Sequence, residues 1–226
     1  KNTSLLGPLR FVSLRSLSVL RRLYDTIAPA YAAVTAPISS RARRLGVQWL
    51  EVKDGETLLE IGPGPGRAFR AILSDNPSGW TEAIEPTPAM RRRTHHQAAR
   101  VPHRRYRIQS GTVHSLPYPT DHFDALFSAY VFDLLSPARL SHALAEARRV
   151  VRPGGRAVFV TMGSDGSVSG GFWSAVAHAA PLLLGGSRPC NLSPTLRSVG
   201  CTVAQTATVR QGGFPSLVTK AEAPSS

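Results

Sequence analysis

The sequence predicts an α/β fold in which helices cover both faces of a doubly wound, mostly parallel, seven-stranded sheet. Strand-like apolar segments alternate with helix-like segments between residues 57 and 162, and this alternation is typical of a parallel sheet. Two more strand-like segments lie close together near the C-terminus and predict an antiparallel hairpin at one edge. The chain has 226 residues, of which 42% are hydrophobic, enough for one domain with an extensive core.

The N-terminal region is predicted to be helical. Leucines recur at helical spacing within residues 10–28, arginines occupy the opposite face, and Pro29 ends the pattern. A second helix is predicted over residues 39–52, with a serine as its cap. We therefore expect an N-terminal helical segment, residues 1–53, followed by a main domain, residues 54–226.

The main domain follows the alternating pattern from its first strand onward. Its expected strands are residues 57–62, 81–85, 105–110, 124–130, 156–162, 201–210 and 214–221. Its expected helices are residues 66–75, 88–100 and 137–151, and Gly154-Gly155 is expected to end the last of them. Residues 163–200 are first rich in Gly and Ser and then apolar, which indicates a lid insertion.

The chain is strongly basic, with 27 Lys and Arg against 14 Asp and Glu and a net charge of +13. Such a charge attracts anions, and nucleic acid and phospholipid surfaces are the main candidates. Arginines concentrate in the N-terminal helices and in residues 91–107, which contain seven arginines and no acid. A basic amphipathic helix suits an anionic membrane surface. Tyr106 is the only Phe, Tyr or Trp within residues 91–107, and this scarcity of aromatic side chains disfavours stacking on nucleic-acid bases.

The composition also indicates a compartment. Two cysteines without a CxxC pair fit a reducing environment, and the histidines lack acids at metal-ligand spacing, so no metal is expected. No apolar run reaches the roughly 18 residues of a bilayer span. The chain begins with Lys1, so we expect a trimmed N-terminus or a fragment, and its first 24 residues suit an organellar targeting remnant. We expect a cytoplasmic or organellar-matrix protein, peripheral on a membrane and not secreted.

The stretch LLEIGPGPGR, residues 58–67, combines a strand end with a glycine turn. Glycines let the backbone approach a ligand, and parallel sheets bind ligands beyond the carboxyl ends of their strands. The spacing of Gly62, Gly64 and Gly66 departs from the dinucleotide pattern G-x-G-x-x-G, and no Gly-Lys-Ser/Thr follows. Glu85 ends the second predicted strand, where a carboxylate can accept hydrogen bonds from ribose hydroxyls. A nicotinamide cofactor and S-adenosylmethionine both remain open at this point.

A later stretch favours one of these cofactors. The sequence GTVHSLPYPTDHFDALFSAYVFDLL, followed by EARRVVRPGG, resembles the class I S-adenosylmethionine-dependent methyltransferases. It is most similar to the ubiquinone/menaquinone-biosynthesis C-methyltransferase group and related small-molecule methyltransferases, and YDTIAPAY resembles their N-terminal segment. The resemblance covers about residues 24–160. It implies a Rossmann-like fold, methyltransferase activity, and S-adenosylmethionine as the cofactor.

The resemblance also implies which residues hold the cofactor. Glu60 and the glycine turn would face its methionine end, Glu85 its ribose and Pro86 its adenine. Relatives carry an acid where this chain has Thr112, a departure that weakens the expected contact with the adenine amine. The complete implied set is Tyr24, Tyr31, Glu60, Gly62, Pro63, Gly64, Gly66, Glu85, Pro86, Thr112, Val113, Ala129 and Tyr130.

The chemistry and the acceptor are less determined by the sequence. A base is needed only if the acceptor must lose a proton, and the candidates are His114, Tyr130 and Asp133. A loop position, packing against the cofactor and a helix cap are the respective alternatives for these residues. The apolar lid, with Phe172 and Trp173, favours a lipophilic acceptor such as a quinone precursor, isoprenoid or lipid. RNA or DNA methylation, an NAD-dependent dehydrogenase and a non-catalytic cofactor-binding protein are the alternatives.

Overall fold

The computed structural model describes residues 39–103, 105–163, 187–212 and 214–225. The described strands are β1 Thr57–Ile61, β2 Trp80–Ile84, β3 Tyr106–Gln109, β4 Phe123–Ala129, β5 Val151–Met162, β6 Thr202–Gln211 and β7 Phe214–Glu222. The described helices are α1 (residues 39–50), α2 Arg67–Ser74, α3 Pro88–Ala98, α4 Pro137–Val150 and α5 Ser193–Ser198, with a 3₁₀ turn at Phe132–Leu134.

The seven strands described form one sheet in the order β3-β2-β1-β4-β5-β7-β6. Strands β1 to β5 pair in parallel, whereas β7 is antiparallel to both of its neighbours, β5 and β6. The chain progresses outward from β1 to β3 and then returns to place β4 beside β1. This reversal is the switch point at which ligands bind in open α/β sheets. The predicted fold class is confirmed, including the antiparallel edge hairpin.

The central strands are apolar because both faces of the sheet are covered. Leu59 and Ile61 pack with α4 and α5 on one face, and Leu58 packs with α1 and α2 on the other. Burial on both faces produces a nearly continuous apolar run rather than strict alternation. This is why the strand positions could be predicted to within a few residues, although β5 begins earlier than expected.

The predicted helix end at Gly154-Gly155 is wrong. Helix α4 ends at Val150, and β5 begins at Val151 with a break in its register against β4. Gly154 has a φ of +69°, and its N–H donates to the carbonyl of Ala223 at 3.2 Å. A Cβ on Gly155 would lie 2.9 Å from the carbonyl oxygen of Asp124. The two glycines therefore serve an irregular strand start that is packed against the C-terminal end.

Parts of the predicted N-terminal segment and lid lie outside the described residues. These parts are residues 1–38 and residues 164–186. The first includes the helix predicted over residues 10–28 and also Tyr24 and Tyr31. Helix α1 packs in the same core as β1 and β4. The described end of the predicted lid, residues 187–200, also belongs to the core, because Leu192 and Leu196 are buried against α4. Residues 187–200 are thus part of the packed domain, and the lid over the preceding residues stays a prediction.

None of the helices in the described part of the chain is long and apolar enough to cross a membrane.

A buried ion pair fastens helix α1 to the sheet. Arg156 on β5 donates to both carboxylate oxygens of Glu56, at 2.8 and 2.7 Å, and to the carbonyls of Leu50 and Glu51. The Arg156 and Glu56 side chains are only 13% and 11% exposed. The end of α1, the start of β1 and the middle of β5 thus meet at one guanidinium.

We expect Arg156→Ala to lower the free energy of unfolding by about 3 kcal/mol, because it leaves the buried Glu56 carboxylate without its partner. The control is Arg152→Ala on the same strand. Arg152 is 56% exposed in its pair with Asp124, so its loss is expected to cost less than about 1 kcal/mol. Urea denaturation measures both variants, and equal costs would contradict the assigned role of Arg156.

Candidate active site

The glycine turn lies at the switch point, between the ends of β2 and β4. Gly62, Gly64 and Gly66 have φ values of +68°, +55° and +80°, in the region that favours glycine. The Gly62 N–H donates to the carbonyl of Ile84 at 2.8 Å, which anchors the turn to β2. Each glycine in the stretch of alternating glycine and proline therefore adopts the left-handed backbone conformation.

The surroundings of the three glycines differ. A Cβ on Gly62 would lie 2.3 Å from Cγ2 of Val131, and one on Gly66 would lie 2.6 Å from Cα of Thr94. A Cβ on Gly64 would meet nothing within 4 Å. Gly62 and Gly66 thus permit close packing, whereas Gly64 faces open space in which a ligand can approach the backbone.

Glu85 closes the β2 side of the turn and is only 6% exposed. Its carboxylate accepts hydrogen bonds from the N–H groups of Gly64, at 3.1 Å, and Thr87, at 2.9 Å. Burial raises the pKa of Glu85, while the two N–H groups oppose that shift. Each carboxylate oxygen retains capacity for a further hydrogen bond. The arrangement therefore fits ribose hydroxyls, and it adds a structural role that the sequence did not predict.

Glu60, the last but one residue of β1, has a buried carboxyl group. It is 2% exposed, and its Oε2 has no hydrogen-bond partner among the described residues. Burial raises the pKa of Glu60 to about 8, a shift that Arg43 opposes and Glu85 reinforces. A buried polar atom without a partner calls for an explanation. A cationic group of a ligand placed against the turn would supply that partner, so the site fits the methionine end of S-adenosylmethionine.

Tyr130 follows β4 on the other side of the turn, next to Ala129, and its φ is +59°. Its hydroxyl is 2.8 Å from Oγ of Ser216 on β7, and the Arg43 guanidinium lies 5.1 Å from the centre of its ring. Burial raises the pKa of Tyr130 to about 12. At neutral pH the hydroxyl is protonated and engaged, which argues against the predicted role as a base.

The other two base candidates are in different surroundings. Asp133 is fully buried, and its Oδ2 accepts the N–H of Met162 at 3.0 Å. Burial raises the pKa of Asp133 to about 6. The carboxylate therefore ties the 3₁₀ turn to the end of β5, rather than capping α4 or facing a cleft. His114 is half-buried in the loop after β3, and its carbonyl is 3.1 Å from Nε2 of His142.

The remaining predicted cofactor residues are split between surface and core. Pro86 and Thr112 are exposed, whereas Pro63 is buried within the turn. Val113 is 5% exposed and belongs to the core, so apolar contact with an adenine would need a change in its packing. In the described ranges no group of three or more His, Cys, Asp or Glu side chains is arranged to hold a metal ion.

Sequence analysis missed residues that shape the site from other elements. Thr94 donates to the carbonyl of Gly64 at 2.9 Å, and Arg91 donates to the carbonyls of Glu85 and Pro86 at 2.8 and 2.9 Å. Thr94 and Arg91 are three residues apart on α3 and share one face. The three-residue spacing of Arg91 and Thr94 within the arginine run was the sequence signal from which their shared position could have been predicted. Nothing in the sequence alone places Arg43 over Tyr130.

Comparison with known proteins identifies the domain. Residues 59–159 match the family described as "Methyltransferase domain". That stretch of the chain is similar to methyltransferase domains. The sequence is 31% identical, over 147 residues, to malonyl-[acyl-carrier protein] O-methyltransferase of Halorhodospira halophila, a match covering 65% of this chain and 48% of that protein. It is 28% identical, over 143 residues, to demethylmenaquinone methyltransferase of Tropheryma whipplei, covering 62% of this chain and 57% of that protein.

The chain also has the fold of solved methyltransferases. The Burkholderia thailandensis 1,6-didemethyltoxoflavin-N1-methyltransferase, solved with S-adenosylhomocysteine, superposes with a TM-score of 0.71 at 18% identity. That match covers 97% of this chain and 93% of the other. The expected Rossmann-like fold of a methyltransferase is confirmed. The chain spans about half the length of the curated relatives it matches.

We expect Gly64→Ala and Gly62→Ala to separate cofactor binding from folding. Gly64→Ala places a methyl in the open space of the turn, so it should weaken S-adenosylhomocysteine at least about tenfold while costing about 1 kcal/mol of stability for its positive φ. Gly62→Ala should cost about 3 kcal/mol, because its methyl overlaps Val131. Calorimetric titration and urea denaturation measure the two effects. Unchanged affinity in Gly64→Ala would contradict the proposed position of the cofactor.

Proposed function

We propose that this protein transfers a methyl group from S-adenosylmethionine to a small, lipophilic acceptor such as a quinone precursor, an isoprenoid or a lipid. The observation that carries the proposal is the open space at Gly64, flanked by the unpartnered carboxyl of Glu60 and by the carboxylate of Glu85. The match to the methyltransferase domain family supports the reaction class.

Different residues around the turn would bind different parts of the cofactor. When bound, S-adenosylmethionine supplies a methyl group activated on a sulfonium. Glu60 would hold the amino group at the methionine end, and Glu85 would accept the ribose hydroxyls. Pro86 would lie against the adenine, with Thr112 and Val113 on its far side. Ala129 and Tyr130 would bound the methionine moiety from β4, and residues 1–38, through Tyr24 and Tyr31, would close over the cofactor.

We propose only one of the three base candidates from the sequence as the base. The Tyr130 hydroxyl is held by Ser216, and the Asp133 carboxylate lies in the interior. His114 retains a half-exposed ring on the carboxyl side of β3, so we propose it as the base where the acceptor must lose a proton. An acceptor that ionises in solution needs only to be positioned.

The lipophilic acceptor rests on two observations. The residues between 163 and 187 offer Phe172, Trp173 and a run of leucines with no Lys or Arg. One relative is named as a demethylmenaquinone methyltransferase, whose name describes a quinone acceptor. A nucleic-acid acceptor is less well supported, because only Tyr106 lies within the arginine run.

We expect binding of S-adenosylhomocysteine to release about one proton at pH 7. Glu60, with a pKa of about 8, is mostly protonated before binding, and the ligand amino group would lower that pKa and favour the ionised form. The release should vanish as the pH rises above about 8, where Glu60 is already ionised. Calorimetric titration in buffers of different ionisation enthalpy measures the protons released.

The matched variant is Glu60→Gln, which keeps the size of the side chain and removes its titration. It should bind S-adenosylhomocysteine without proton release. Equal release in the two proteins would assign the proton to another group. NAD in place of S-adenosylhomocysteine tests the reaction class: binding of NAD alone would replace methyl transfer with dehydrogenase chemistry.

We further propose that the N-terminal helix binds an anionic membrane surface on its cytoplasmic or matrix side. Residues 1–23 combine a leucine stripe with an arginine face, and each basic residue near an anionic surface contributes about 1 kcal/mol. Removing residues 1–23 is expected to abolish co-sedimentation with anionic liposomes and to leave cofactor binding intact. Tight tRNA binding that survives the truncation, without liposome binding by the full chain, would favour a nucleic-acid acceptor instead.

A further inference from the structure

We propose that a cationic groove between helices α1, α2 and α3 binds a ligand whose phosphate group or groups carry at least two negative charges. The groove encloses a cavity of about 630 Å³. Five arginines line it: Arg43, Arg44, Arg67, Arg70 and Arg100. No Asp or Glu is among the lining residues that the structure describes. Helices α1 and α2 and the turn after α3 thus bring five like charges to one groove.

The groove arginines differ from four arginines of α4 and β5 in how their charge is balanced. Arg148, Arg149, Arg152 and Arg156 each pair with a carboxylate. Among the described residues, none of the five groove arginines has a carboxylate partner. Among the described residues, Arg43 donates to the hydroxyl of Ser39, lies over the ring of Tyr130 and interacts electrostatically with the buried carboxyl of Glu60, with no salt bridge to it. Clustered like charges repel one another and destabilise the compact state, and a bound anion relieves that repulsion.

The chemistry of the lining selects phosphate. Planar guanidinium groups form paired, charge-assisted hydrogen bonds with phosphate oxygens, and several guanidiniums suit more than one negative charge. The volume lies within the range of small-molecule sites, roughly 300–1,000 Å³. Within the described part of the chain, the lining contains no aromatic side chain on which a nucleic-acid base could stack. A compact phosphate ester therefore fits the groove better than a nucleic acid does.

The N-terminal part of this chain is a poor occupant on grounds of charge. Residues 1–38 contain five Lys and Arg and one acid, so they carry the same sign of charge as the groove. The ligand must then come from outside the chain. Two sources share the required chemistry, a soluble phosphate ester and the headgroup of an anionic lipid.

The groove adjoins the candidate active site without being part of it. Arg43 belongs to both, because it lines the groove and also lies over the ring of Tyr130. Arg44 and Arg70 are exposed and contact none of the predicted cofactor residues through their side chains in the described structure. Variants of these two arginines can therefore test the groove separately from methyl transfer.

The experiment is calorimetric titration of the full chain with inorganic pyrophosphate. The wild-type protein is expected to show saturable binding, and Arg44→Gln/Arg70→Gln should weaken it at least about tenfold, since each 1.4 kcal/mol of lost interaction is tenfold. The control is Arg92→Gln/Arg93→Gln, which removes the same charge from exposed positions of α3 outside the groove. The control should bind within about twofold of wild type.

Titration with S-adenosylhomocysteine keeps this proposal distinct from the proposed function, because both double variants should bind it like wild type. Absence of saturable pyrophosphate binding, or equal weakening of that binding in the two double variants, would overturn the proposal that the groove binds phosphate.

Vesicles of phosphatidic acid in phosphatidylcholine distinguish a lipid headgroup from a soluble phosphate ester. Vesicle binding that pyrophosphate displaces assigns the groove to a lipid headgroup, and pyrophosphate binding without vesicle binding assigns it to a soluble ester. Loss of tRNA binding in the groove variant, without a pyrophosphate site in wild type, would replace the proposal by nucleic acid.

Discussion

Close packing at the end of β1 leaves the chain no space for a Cβ at two of its three turn glycines. Val131 presses on Gly62 from the β4 side, and the backbone of Thr94 presses on Gly66 from α3. These contacts set the spacing between the ends of β1 and β4 and between the start of α2 and the middle of α3. The open backbone at Gly64, the carboxylate of Glu85 and the buried carboxyl of Glu60 all take their positions from this turn. The site is thus a consequence of packing in the switch region rather than an addition to it.

The parts of the fold that could be predicted are those governed by local pattern. Strands β1 and β4 are buried on both faces, and their apolar runs were recognisable without knowledge of their neighbours. The role predicted for Gly154 and Gly155 is wrong, because glycine is common at helix ends but also occurs where the backbone packs closely. Here they accommodate Ala223 and Asp124, which are distant in sequence. The burial of Leu192 and Leu196 could not be predicted for a similar reason, since it depends on packing against α4.

The site shows the same division. The turn glycines and Glu85 could be found from spacing along the chain, because consecutive strands and turns place them. The surroundings of Tyr130 and Asp133 could not, because a side chain is accessible or engaged according to what packs on it. Ser216 approaches Tyr130 from β7, and Met162 approaches Asp133 from β5. Arg43 was assigned to a membrane-facing group by its neighbours in sequence, but its side chain lies over the ring of Tyr130.

The hydrogen bond between Tyr130 and Ser216 links the middle of the chain to its last strand. The residues that it joins are 86 positions apart, and Ser216 lies on a strand that is inserted between β5 and β6. During synthesis, β1 to β5 leave the ribosome well before β7 does. The β4 side of the site therefore reaches its final shape only after the C-terminal hairpin has docked. A nascent chain can present the glycine turn early, but the hydrogen bond to Tyr130 can form only after β7 has been synthesised.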